Sequence, residues 1–108
     1  MTNNTAFADL MAFQRQTEAL GKVAERLGWD QETMMPRGAA DQRGEEMAAI
    51  GGVLHARRTD PRIPDWLAAA EVSDEAGQAQ LRLIRRSYDR SLKVPADLAE
   101  ALARLTSV

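Results

Sequence analysis

The feature that most constrains this chain is a single stripe near its start. Leu10, Phe13, Thr17, Leu20, Ala24 and Leu27 follow one another at alternating steps of three and four. On an α-helix that spacing gathers all six apolar or small side chains on one face, the a/d pattern of antiparallel helix packing. On a strand it would scatter them over both faces. A helix over about residues 6–28 is therefore expected, with Asn4 or Thr5 capping its start and Gly28 as its stop. One narrow apolar face needs partners of the same kind.

The remainder of the sequence offers such partners. A second helix is expected over about 38–58, with Ala40, Met47, Ile50 and Leu54 on one face. Gly51 and Gly52 inside it cost roughly 1 kcal/mol each against alanine. Either that helix is weak or bent there, or a neighbouring helix comes unusually close. Thr59-Asp60-Pro61 breaks it, and Pro64 and Trp66 lead into a short helix over about 63–71. Ser73 is placed to cap a fourth helix over about 74–93, with Asp74 and Glu75 at the positive end of its dipole. Its apolar stripe is Leu81, Ile84, Tyr88 and Leu92, and Arg85, Arg86 and Arg90 make it basic towards its end. Pro95 suits the first position of a fifth helix over about 96–106, whose inner face is Leu98, Leu102 and Leu105. No strand-like alternation and no repeat interrupts this order. The expected class is all-α, an antiparallel helical bundle of about four to five helices.

Composition narrows the function classes. The 108 residues allow one domain with a modest core. A formal net charge of −2 supplies no basic field for nucleic acid or for an anionic membrane. There is no cysteine, which removes disulfides and thiolate metal sites and suits a reducing cytoplasm. The opening MTNNTAFADL lacks the basic and apolar regions of a secretory signal, and no apolar run approaches a membrane span. A cytoplasmic protein is the expectation.

Complete catalytic sets are missing. A helical zinc-hydrolase motif needs two histidines four apart with a glutamate between them. This chain has one histidine, His55, followed by Ala56 and a doubled arginine. A lone histidine near a helix end most often packs or faces solvent. Gly51-Gly52 lacks the strand before and the Lys-Ser/Thr after that make a phosphate loop. A nucleophilic serine would need a base, and apart from His55 none is evident.

The least ordinary stretch is LGWDQETMMPRGAADQR, residues 27–43. Pro36 and Gly38 end one segment and begin another, so it reads as a corner between two helices. In that reading Trp29 is the apolar anchor. Asp30 and Glu32 cap the second helix or pair with Arg43, which otherwise sits awkwardly in line with Ala40, Met47, Ile50 and Leu54. A guanidinium on a mostly apolar face needs such a partner. The other reading puts the corner at the rim of a cleft, with its carboxylates and Met pair facing a ligand.

LGWDQETMMPRGAADQRGEEMAAIGGVLH, then TDP, then IRRSYDRSLKVPADLAEALA resemble the N-terminal region of the carboxypeptidase Taq family. The most distinctive part is the Trp-Asp-x-x-Thr-x-Met-Pro signature, here Trp29, Asp30, Thr33, Met35 and Pro36. Gly38, Ala39, Ala40 and Arg43 extend it. Met34 stands where an aromatic is frequent, and Ala56 where an acid is common. The resemblance implies a zinc-dependent metallocarboxypeptidase of largely helical fold with a HExxH motif. In such an enzyme a metal-bound water attacks the last peptide bond of a substrate with a free C-terminus. The metal is zinc or another divalent ion such as cobalt.

Those catalytic motifs lie well downstream in the family, and none occurs in residues 1–108. The chain is therefore expected to be an N-terminal segment, a cut piece or a truncated gene product. It would cover the substrate groove, bind no metal itself and be inactive alone. The corner residues Trp29, Asp30, Glu32, Thr33, Met35, Pro36 and Arg43 would be scaffold and groove rim, none of them catalytic. A rival expectation is a free-standing helical dimerisation or adaptor module. In a segment cut from its catalytic body, the first-helix stripe and the Leu98, Leu102, Leu105 face are candidates to self-associate, most simply as a homodimer.

Overall fold

A computed structural model describes the backbone over residues 5–33 and 40–105, and the side chains over 5–29 and 41–105. The described residues form helices and no strand: α1 (Thr5–Thr33), α2 (Ala40–Arg58), α3 (Arg62–Ala69), α4 (Glu75–Leu92) and α5 (Ala96–Leu105).

The α1 stripe folds as its spacing requires. Leu10, Phe13 and Thr17 are buried, and Leu20, Ala24 and Leu27 are half-buried along the same line. The expected stop at Gly28 is not one, because α1 continues to Thr33. An interior glycine costs only about 1 kcal/mol, and nothing lies within 4 Å of where a Cβ would sit on Gly28. At 1.5 Å per residue the 29 residues of α1 make a rod about 43 Å long.

Two pairings orient α2 against this rod. Arg43 near the start of α2 reaches Leu27 of α1, and Arg57 near its end reaches Phe13 and Thr17. The two helices are thus antiparallel. The turn at Thr59–Pro61 is closed by the Thr59 N–H and hydroxyl, which both donate to the His55 carbonyl at 3.0 and 2.8 Å. It drops α3 across α1, where Ile63 and Leu67 join Leu10 and Phe13, with Ile84 of α4 completing the cluster. Met11, Trp66, Leu81 and Tyr88 surround it.

α4 begins one residue later than its sequence suggested. Asp74, not Ser73, is the N-cap, in extended backbone and without a side-chain cap hydrogen bond. Pro95 directly precedes α5, and its carbonyl accepts the Ala99 N–H at 3.0 Å.

The Gly51-Gly52 pair belongs to a close helix approach, not to a weak helix. A Cβ on Gly51 would lie 2.7 Å from Ala103 Cβ, and one on Gly52 would lie 3.2 Å from Glu100 Oε1. α5 runs antiparallel along this notch, with Arg104 reaching back to Glu45 at 3.9 Å. It packs on α2 alone among the described helices. Its leucines stay largely uncovered: Leu98, Leu102 and Leu105 are all exposed, with Leu102 at the edge of the α2–α5 contact.

The result is elongated. The radius of gyration is 16.6 Å, against about 13 Å for a compact domain of ~100 residues. Such a shape buries few side chains. Among the described residues the apolar core is Leu10, Phe13, Met47, Ala48, Leu54, Ile63, Leu67 and Ile84.

Candidate functional site

The corner reading is corrected at Trp29. Its side chain is 68 % exposed, so it is not the apolar anchor of the corner. The cause is the continuation of α1 through Gly28. With helical register kept, Trp29 follows Leu27 by about 200° around the axis and lands opposite the buried stripe. The side chains of Asp30, Glu32 and Thr33, and the whole of Met35 and Pro36, lie outside the described residues. Whether Arg43 pairs with Asp30 or Glu32 falls there too.

Arg43 itself is placed. Its side chain is only 14 % exposed and makes an ion pair with Glu46 at 3.3 Å. Its Nη1 donates to the Leu27 carbonyl of α1 at 3.1 Å. The awkward position of an arginine in an apolar line is thus resolved by a backbone acceptor on the facing helix. A charge-assisted bond of this kind is among the stronger ones available.

A second polar centre was not legible beforehand. Arg57 Nε donates to Thr17 Oγ1 at 2.9 Å, and its Nη2 donates to the Phe13 carbonyl at 3.0 Å and to Gln16 Oε1 at 3.2 Å. Thr17 passes its own hydroxyl proton to the Phe13 carbonyl at 3.0 Å. The same guanidinium stacks 3.9 Å over the Phe13 ring, a cation–π contact as well as a hydrogen-bond fork. Arg62 stands 5.1 Å from the Phe13 ring and 5.3 Å from that of Trp66, and the two rings are tilted 5.3 Å apart.

Arg62 is held by Asp60 through two bonds, Nε to Oδ1 at 3.1 Å and Nη2 to Oδ2 at 2.9 Å. The guanidinium hydrogen bond holds the Asp60 carboxyl below its ordinary value, against a smaller opposing effect of burial. The same bond raises Arg62. The doubled arginine after Ala56 was a visible signal, but nothing in one sequence says which of the pair turns inward.

Two hollows flank these centres. α1 and α4 share the core cluster yet do not pack directly, and a cleft of about 440 Å³ opens between them. Met11, Ile63 and Ile84 form its floor, with Arg15, Glu18, Arg58 and Tyr88 at its sides. A smaller, more apolar hollow of about 290 Å³ lies between α2 and α5, lined by Met47, Ile50, Leu54 and Leu102, with His55 and Arg58 at its edge. His55 is half-buried there.

No group of three or more His, Cys, Asp or Glu that could hold a metal lies together among the described residues. The donor set around His55, apolar side chains and an arginine, does not suit a divalent cation. Zinc therefore does not fit the described part of this chain. No helix among the described residues is long and apolar enough to cross a membrane.

Comparison with known proteins places these observations. Residues 9–108 match the sequence profile of the carboxypeptidase Taq (M32) metallopeptidases. The chain is 38 % identical over 113 aligned residues to thermostable carboxypeptidase 1 of Thermus thermophilus. That alignment covers 99 % of this chain but 22 % of the relative, so the chain spans about a fifth of that protein's length.

Proposed function

Because the chain belongs to the carboxypeptidase Taq (M32) metallopeptidase family, we propose that it is the N-terminal helical portion of an enzyme that removes C-terminal residues from peptides. The observation that carries this reading is the match itself, which runs through nearly the whole chain to a carboxypeptidase several times its length. The metal, zinc or another divalent ion such as cobalt, belongs in this reading to a part of the longer protein not represented here. Peptides are its substrates, and the lack of cysteine suits a cytoplasmic setting.

Within that enzyme the segment covers the substrate groove and supplies no reacting group. Support comes from its shape: a rod and crossing helices with an open cleft between α1 and α4. Such a cover restricts access and excludes bulk water without moving a proton. Trp29, Asp30, Glu32, Thr33, Met35 and Pro36 would then form a rim, with Arg43 fixing the α1–α2 junction behind it.

The test is an assay of the chain alone with a peptide of free C-terminus, with zinc or cobalt added. No released amino acid and no stoichiometric metal is the expected outcome. Binding of one zinc per chain that survives His55→Ala would overturn it. A coding sequence that continues past Val108 to a HExxH helix would support the assignment, and a stop there would count against it.

One observation favours the second reading, a dimerisation or adaptor module. The Leu98, Leu102 and Leu105 face of α5 is exposed. The α1 stripe, the other candidate for self-association, offers less surface, because Leu10, Phe13 and Thr17 are buried and Leu20, Ala24 and Leu27 half-buried. A two-fold dimer through α5 would sediment as such at tens of micromolar and revert to monomer in Leu98→Ser/Leu102→Ser. A wild-type monomer binding no hydrophobic dye would rule out self-association through α5 and show that these helices close their own core.

A further inference from the structure

α4 presents a face that neither the core nor the groove-cover role uses. Arg82, Arg85, Arg86, Arg90 and Lys93 are all exposed and line one shallow depression with Asp89 as its single acid. With Glu75 and Asp89 counted against these five cations, residues 75–93 carry a net +3. The whole chain carries −2, which leaves −5 on the remainder. Charge is segregated onto this helix although the chain has acids enough to neutralise it.

We propose that this face docks an acidic, extended peptide segment of a substrate. The inference rests on the peptide-processing reading above and adds a substrate class to it. The successive arginines at 82, 86 and 90 climb the helix by about 6 Å per step. Every second residue of an extended peptide advances about 6.6 Å, so alternate carboxylates meet successive guanidinium groups. Four of the five cations are arginines, whose planar fork takes a carboxylate through two parallel hydrogen bonds.

The flanks agree with a peptide. Leu83 and Leu92 are exposed at 58 % and 54 %, and nine residues of helix put them about 180° apart. They border the basic stripe on its two sides and leave its centre to charge alone. A bilayer would instead draw its apolar contacts to the centre of the face. A single-stranded nucleic acid would look for aromatic platforms on which to stack its bases, and the stripe carries none.

The experiment measures fluorescence anisotropy of a labelled peptide alternating glutamate and glycine, amidated at its C-terminus. Saturable binding that weakens with added salt is expected. It should fall by about tenfold in Arg86→Glu/Arg90→Glu and more mildly in Arg86→Gln/Arg90→Gln. The same charge change elsewhere, in Lys22→Glu/Arg26→Glu, should leave binding within about twofold. Three results would overturn the proposal: no saturable binding, equal binding by the Arg86/Arg90 variants, or tighter capture of a single-stranded oligonucleotide or of phosphatidylserine vesicles. Hydrolysis is not read in this measurement, so a failure to bind leaves the carboxypeptidase reading to its own assay.

Discussion

The α1–α3–α4 cluster and the α2–α5 pair are both helix packings, but they are built on opposite terms. The first buries large side chains: Leu10 and Ile63 are essentially inaccessible, with Phe13, Leu67 and Ile84 close behind. The second brings helices together across Gly51 and Ala103; α2 buries Met47 and Leu54, but the leucines of α5 stay exposed. Burial of a Leu or Phe side chain contributes about 1.5–3 kcal/mol. Close backbone approach contributes mainly dispersion, small per atom pair. The cluster should therefore set global stability, while α5 should open at lower free energy.

The comparison breaks most visibly at Phe13. Phe13→Ala removes the ring that joins the apolar cluster to the two arginines, and a loss of about 3–5 kcal/mol in denaturant unfolding is expected. A loss below about 1 kcal/mol would mean that the cluster does not hold the fold.

Gly51→Leu addresses the other region. Its side chain would enter the space of Ala103 Cβ, at an expected cost of about 1–3 kcal/mol. Amide exchange over 96–105 should accelerate while protection around Leu10 and Phe13 persists. Equal acceleration in both would show one cooperative unit.

Arg57→Met tests the polar bridge between α1 and α2. It leaves the Thr17 hydroxyl without its donor in a buried position, at about 1–3 kcal/mol. Arg57→Met/Thr17→Val, which removes both partners, should cost less than the sum of the single variants. Strict additivity would argue that the two side chains act independently.

Trp29→Ala should change stability by less than about 1 kcal/mol, because the ring is mostly outside the fold. A larger loss would restore the corner-anchor reading.

The smallest effect concerns acid. Asp60 titrates below its ordinary value in the folded chain, so its pairing stabilises the fold above the unfolded carboxylate range. That contribution fades as pH falls through the lowered folded value. Asp60→Asn should thus lose little more on acidification than it has already lost at neutral pH. Both residues of the pair sit near solvent, so the difference between the two acid titrations should be slight.

How much was readable differs from element to element. The α1 stripe could be read because periodicity depends only on helix geometry, which holds whatever the neighbours are. The Gly51-Gly52 pair announced either weakness or close approach, and only the position of α5 separates the two. Arg57 could not be told from Arg58, since both follow Ala56 and a rotation of one residue decides which side chain reaches Thr17. The residues proposed as a groove rim between 30 and 36 stay a reading of the sequence, because their side chains fall outside the described structure.

By itself the sequence determined the helical class, the α1 core line and the family, each written in local spacing or in a matching run of residues. Tertiary structure decided that Arg43 of α2 donates to the Leu27 carbonyl of α1, and that α5 rests on glycines with its leucines exposed. Those outcomes depend on which surfaces meet across 16 to more than 40 residues of chain. Helical periodicity fixes a residue's angle on its own helix; only packing fixes what stands opposite.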